Sequence, residues 1–297
     1  MSRTRILVFD SGLGGLTVFR EIAKLLPDAD FVYAADDAGF PYGGWAADDL
    51  VWRVVAVMRR LVGEFHPDVA VVACNTASTL VLPHLRAAFP DIPFVGTVPA
   101  IKPAAGRSRS HMISVLATPG TVARDYTRDL VASFAAHCRV ELVGSQNLAR
   151  IAEDFMHGRP VSDDAIAAEI APCFVQDGER RTDEIVLACT HYPLLLAQFE
   201  RLAPWPVEWI DPAPAIARRV EFVLTQGVAD PTMLRAGRPQ QAQRPPQPAP
   251  DEGAARMRAA VFTSGAPADA ALARALETFG LKQIDFAPMA VETRIAR

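Results

Sequence analysis

The chain has 297 residues, 50% of them apolar and 22% charged, with a net charge of −4. That is enough to bury a large core across about two domains, and it offers no basic surface for nucleic acid or an anionic membrane. Four cysteines are too few for a disulfide scaffold, no apolar run reaches membrane-span length, and the first residues hold no signal-peptide core. The expectation is a cytoplasmic protein with reduced thiols and no membrane or nucleic-acid partner.

The first half opens with a short buried strand over 6–9. Asp10-Ser11-Gly12-Leu13-Gly14-Gly15 follows, then an amphipathic helix over 16–26 that stops before Pro27. Strand, glycine-rich turn and helix start form an anion-binding geometry, although a tight turn needs glycines anyway. The G-x-G-G spacing fits neither a dinucleotide fingerprint nor a P-loop. A second strand over 30–34 leads into a polar loop, 36–44, containing Pro41-Tyr42-Gly43. Residues 48–65 have helical spacing. Residues 69–73, Val-Ala-Val-Val-Ala, suit a strand buried on both faces, and it ends in Cys74-Asn75-Thr76. A helix over 78–89 and a short strand over 94–97 complete this half.

Residues 98–103 read as a crossover. A strand over 112–117 then ends in Thr118-Pro119-Gly120-Thr121, followed by a helix over 122–137 and a strand over 140–143. Helices over 146–155 and 163–175 precede a strand at 184–188 that ends in Cys189-Thr190-His191, with a helix over 193–202 behind it. Strand, small-residue turn, helix, then strand, cysteine, polar residue, helix therefore occurs twice. The pattern predicts an α/β protein of two pseudo-symmetric doubly wound domains with mainly parallel sheets. The expected division is 1–98 plus 208–297 for the first domain and 99–207 for the second. A Pro/Gln-rich stretch at about 235–258, with no large apolar residue between Leu234 and Met257, reads as an insertion rather than core. A strand from 260, a helix over 268–279 and a strand over 283–286 close the first domain.

Ligands in open α/β sheets bind beyond the carboxyl ends of the strands. Two cysteines at such ends admit three readings. They could be buried and inert, as free cysteines often are. They could bind a metal, but neither belongs to a C-x-x-C pair and only His191 lies near either one, so no metal is expected. They could do acid–base work. A cysteine at a helix N-terminus has a lowered pKa, and two thiols on opposite sides of one carbon could pass a proton across it. Cys138 and Cys173 carry no motif and read as structural. Lys102, between Ile101 and Pro103, has no phosphate cradle, so a pyridoxal-phosphate Schiff base is rejected.

Phe9-Asp10-Ser11-Gly12-Leu13-Gly14-Gly15-Leu16-Thr17, Pro41-Tyr42-Gly43, Ala73-Cys74-Asn75-Thr76-Ala77, Gly96-Thr97-Val98-Pro99-Ala100, Ala117-Thr118-Pro119-Gly120-Thr121 and Leu187-Ala188-Cys189-Thr190-His191-Tyr192-Pro193-Leu194-Leu195 together resemble the glutamate racemases, in the cofactor-independent aspartate/glutamate racemase superfamily. The resemblance spans nearly the whole chain outside the Pro/Gln-rich stretch. It implies an active site between the two domains, no cofactor, a homodimer, and interconversion of L- and D-glutamate for peptidoglycan synthesis. It implies Cys74 and Cys189 as the two bases at glutamate Cα, with Asp10 and His191 as their acid–base partners. It implies Ser11, Pro41, Tyr42, Gly43, Asn75, Thr76, Thr118, Thr121 and Thr190 as substrate ligands.

Plainer roles stand beside these. Asp10 could cap its turn, Thr121 could cap a helix, Tyr42 could serve the turn alone, and His191 could be a satisfied polar group at a helix start. Aspartate racemase, or a non-catalytic ligand-sensing or interaction protein, are the alternative functions. Three departures from the family pattern stand out. Gly144-Ser145-Gln146-Asn147 occupies the stretch where many members carry an acidic helper, Asp211-Pro212 replaces the more usual Asp-Ser, and the insertion is long.

Overall fold

The computed structural model describes residues 3–226 and 256–290. The chain begins with β1 (Arg5–Asp10), α1 (Leu16–Leu25), β2 (Asp30–Ala35), α2 (Ala47–Phe65), β3 (Val69–Val72), α3 (Asn75–Ala88) and β4 (Phe94–Gly96). Next come α4 (Ile101–Arg107), β5 (Met112–Ala117), α5 (Pro119–Val122), α6 (Asp125–Phe134), β6 (Arg139–Gly144), α7 (Leu148–Met156) and α8 (Asp163–Ile170). A small hairpin of β7 (Gln176–Asp177) and β8 (Arg180–Arg181) leads to β9 (Glu184–Ala188), α9 (Leu196–Leu202) and β10 (Glu208–Ile210). The last elements are α10 (Ala213–Gln226), β11 (Arg258–Phe262), α11 (Ala270–Thr278) and β12 (Lys282–Gln283).

Two parallel sheets organise these elements. The first has the order β12-β11-β2-β1-β3-β4 and the second β10-β9-β5-β6. Replacing β1, β2, β3 and β4 by β5, β6, β9 and β10 turns the order β2-β1-β3-β4 into β6-β5-β9-β10, so the repeat read from the motifs is also a repeat of strand order. Glu208–Ile210 was placed with the first unit, yet it pairs with β9 as the counterpart of β4. The chain returns to the first sheet only at α10, whose Ala213, Ile216, Ala217 and Val220 join the core beside α1.

Each central strand is apolar on both faces because helices cover both. Ile6 and Val8 of β1 enter one core cluster, while Leu7 and Phe9 enter the cluster on the other face. In the second sheet Ile185 and Leu187 face one cluster, and Val186 and Ala188 the other. The helix expected over 122–137 is two helices, α5 and α6, with a break at 123–124. The segment expected as a crossover contains α4. The Pro/Gln-rich stretch lies outside the described residues except for Arg256, Met257 and Arg258. Among the described residues no helix is long and apolar enough to cross a membrane.

One buried ion pair anchors the loop that carries Pro41-Tyr42-Gly43. Arg53 on α2 grips Asp36 with two bonds of 2.6 and 3.0 Å, and the two side chains are 2% and 0% exposed. Tyr42 and Thr263 both donate hydroxyl hydrogen bonds to the same carboxylate. Removing one partner of a buried pair strands the other charge in the core. Arg53→Met is therefore expected to lower the unfolding free energy by about 3–5 kcal/mol, read as a shifted midpoint in urea denaturation. A variant as stable as the parent would show that Asp36 needs no counter-charge.

Candidate active site

The carboxyl ends of β1, β3, β5 and β9 converge. Cys74 is the residue at the start of α3, one position after the buried Ala73, so the strand directs it to the sheet's carboxyl edge. Cys189 follows β9 directly, and a tight turn over Tyr192–Leu195 leads on into α9. Both are buried and neither is disulfide-bonded.

The turn after β1 and the turn after β9 interlock. Thr190 donates its hydroxyl to Asp10 over 3.1 Å, and the Gly12 amide donates to the other Asp10 oxygen at 3.2 Å. The Thr17 hydroxyl bonds the Gly14 carbonyl. A methyl group on Gly14 would stand 2.5 Å from Nδ1 of His191 and 2.7 Å from the Thr190 carbonyl carbon, so only glycine allows this approach. The turn-cap reading of Asp10 is thus part of the truth: one oxygen holds its own turn and the other reaches the second sheet.

A second bridge is made of hydroxyls. Thr76 on α3 lies 3.1 Å from Thr118 and 3.4 Å from Thr121, and those two lie 3.1 Å apart. Thr118, not Thr121, caps α5, accepting from the Thr121 amide at 3.3 Å. The Tyr42 hydroxyl is committed to Asp36 and turns into the first core, so Tyr42 can meet a ligand only through its backbone. Gly43 lies against Thr118 and Gly120, which brings that loop to the carboxyl end of β5, while Pro41 is exposed. Asn75 is 2% exposed, and neither polar atom of its amide is hydrogen-bonded within the protein.

The electrostatics of the two thiols differ. Cys74 lies 3.8 Å from the Ser11 hydroxyl. Burial pushes its thiol far up, and negative charge on Asp10 and on Cys189 pushes it further. The expectation of a lowered pKa at the helix start fails here. The Ala77 amide does pull it down, but desolvation outweighs the helix terminus. Asp10 is also raised by burial, against the pull of His191 and the turn amides. Cys189 lies 3.9 Å from Nδ1 of His191. Burial alone would lower the His191 pKa, but contacts with Cys189 and Glu153 overcome it and raise it well above its usual range.

Glu153 on α7 is the residue the motifs missed. Its Oε1 accepts from Nε2 of His191 at 2.7 Å and from the Leu13 amide at 2.6 Å. It links α7, the turn after β9 and the turn after β1. Residues 144–147 hold no carboxylate; the carboxylate that meets His191 stands six residues beyond that stretch. The signal was a carboxylate in the apolar-faced helix after β6, next to the buried Ala152.

The family model for Asp/Glu/hydantoin racemase matches residues 6–220. Glutamate racemase from Agrobacterium fabrum is 54% identical over 276 residues, 93% of each chain, and that from Sinorhizobium medicae is 54% identical over 277 residues, 93% of this chain and 94% of the relative. The crystal structure of Escherichia coli glutamate racemase, in complex with L-glutamate and the activator UDP-MurNAc-Ala, superimposes with a TM-score of 0.82 at 38% identity, covering 97% of this chain and 99% of the other. The chain belongs to the Asp/Glu/hydantoin racemase family.

Proposed function

We propose that the chain interconverts L- and D-glutamate, with Cys74 and Cys189 as the acid–base pair, and so supplies D-glutamate for peptidoglycan precursors. The observation that carries this reading is the matched placement of the two thiols at the ends of β3 and β9, equivalent strands of two sheets whose turns interlock. One sulfur takes the α-proton, the electron pair left on Cα spreads into the α-carboxylate, and the other thiol returns a proton to the opposite face. Preorganised donors stabilise that developing charge. Thr76, Thr118, Thr121, Thr190, Ser11, Asn75 and the backbone of Tyr42 and Gly43 are the donors and acceptors at hand.

Asn75 supports the binding role by its cost. A buried amide without partners loses about 1–3 kcal/mol of hydration, which a substrate carboxylate or ammonium would restore. Charge supports the acid–base role. The Cys74 thiol is raised by burial and by the charge of Asp10, and the substrate's α-ammonium brings the opposite charge. On the other sheet, Glu153 favours the charged form of His191 next to Cys189. Glu153 is thus a positioning residue that acts through His191. Two domains, one per sheet, with the cleft between them, and a cytoplasmic homodimer complete the proposal by family likeness.

Two tests follow from these roles. In deuterated solvent, Cα of L- and D-glutamate should exchange with the parent enzyme. Cys74→Ser and Cys189→Ser should each lower racemisation by about 10²–10⁴-fold. Full activity in either variant removes that thiol from the mechanism, and turnover of aspartate alone in a parallel assay replaces the substrate. Glu153→Gln removes an anion that raises the His191 pKa. The imidazolium is present below its folded pKa and lost above it, so the variant's alkaline limb of kcat/KM should move to lower pH. An unmoved limb would show that His191 titration does not govern the rate.

A further inference from the structure

At the opposite end of the second sheet, His111, His137 and Cys138 come together. His111 immediately precedes β5, and His137-Cys138 immediately precede β6. A ring nitrogen of each histidine and the sulfur of Cys138 lie within 4.8 Å of one another, and they are the one group of metal-type ligands gathered among the described residues. The two histidines are exposed and Cys138 is half-buried, so the cluster is open to solvent. It is separate from the cleft, because β5 carries Thr118 at its other end, about 23 Å away at the usual strand rise.

We propose that His111, His137 and Cys138 form a site for a thiophilic divalent d-block ion of the zinc type. Thiolate and imidazole are the ligands such ions prefer, and three of them leave one coordination position for water. Ligand atoms of a tetrahedral zinc site lie roughly 3.3–3.8 Å apart, so side-chain rotations of about an ångström close the triad. Backbone bonds already fix its parts. The Arg139 amide donates to the His111 carbonyl at 2.8 Å, in parallel strand register, and the Cys138 amide donates to Ala135 at 2.9 Å.

Three further features agree. His111 has φ of 56°, a left-handed conformation that few non-glycine residues adopt and that turns its ring toward the β6 end. The His111 and His137 rings stand edge to face at 5.6 Å. The Ala105 carbonyl lies 3.4 Å from Nε2 of His137, a contact of the kind that orients a metal-binding imidazole. On binding, the Cys138 thiol gives its proton to solvent as the metal–sulfur bond forms, one proton per ion.

The test must exclude the thiols of the cleft, so the parent for it is the full chain carrying Cys74→Ser and Cys189→Ser. Titrated with Co²⁺ as the spectroscopic probe, this protein should bind one ion with a thiolate-to-metal absorption band, and Zn²⁺ should displace the cobalt. Adding Cys138→Ser should abolish the band. Adding His111→Asn, which tolerates the left-handed backbone, should weaken cobalt binding by at least about tenfold, in line with losses seen even for outer-shell partners. Circular dichroism of each variant checks that the fold is retained. No thiolate band in the parent, or a band undiminished by Cys138→Ser, overturns the site.

Discussion

The whole arrangement of the site residues depends on how closely the turn after β1 approaches the turn after β9. The approach is possible because Gly14 has no side chain: a Cβ there would collide with the backbone of Thr190 and His191. Across that contact run the Thr190–Asp10 bond and the bonds of Glu153 to His191 and the Leu13 amide. These are short, buried and partly charged, the kind of bond that is worth most away from water. They hold the carboxyl ends of two separate sheets together, close enough for Cys189 to act electrostatically on Cys74. The threonine cluster of Thr76, Thr118 and Thr121 repeats the arrangement on the other side.

The same closeness decides the charge states. A helix terminus favours an anion by about 0.3–1 kcal/mol, up to ~2 in partly buried settings. Complete burial of a thiol beside a carboxylate acts the other way and more strongly, and Cys74 follows burial. On the second sheet the balance is reversed for His191, because two partners contact a ring that burial alone would discharge. The frame is symmetric and the surroundings are not: a serine and the charge of an aspartate face Cys74, whereas a histidine bonded to a glutamate faces Cys189.

Much of this was legible in the chain before any coordinates. Val69 to Ala73 and Glu184 to Ala188 announce doubly covered strands, and the cysteines after them stand where such strands deliver side chains. What stayed hidden depended on spatial pairing. Glu153 sits on a helix whose pattern says only that it is amphipathic, and its target is 38 residues away. Glu208–Ile210 is too short to declare a sheet, and only its partner β9 assigns it. The Tyr42 hydroxyl cannot be placed without knowing that Arg53, eleven residues on, brings Asp36 into the same core. His111 is far in sequence from His137 and Cys138 and meets them only because β5 and β6 are parallel neighbours starting at one edge. Local pattern reveals elements, whereas pairs across the sheet need register.

The unequal surroundings of the two thiols are compatible with an enzyme that must treat both enantiomers alike. D- and L-glutamate have equal free energies in solution, so the equilibrium constant between them is unity whatever the protein does. The ratio of kcat/KM in the two directions is then bound to unity as well. In the roles proposed for them, Asp10, His191 and Glu153 can therefore shift how each direction divides between binding and turnover, but they cannot favour one product at equilibrium. A helper that eases proton removal by one sulfur also eases, in reverse, proton return from it. Asymmetric helpers on a symmetric frame are thus free to be tuned separately, each to the charge that its own thiol must carry, without cost to the balance of the reaction.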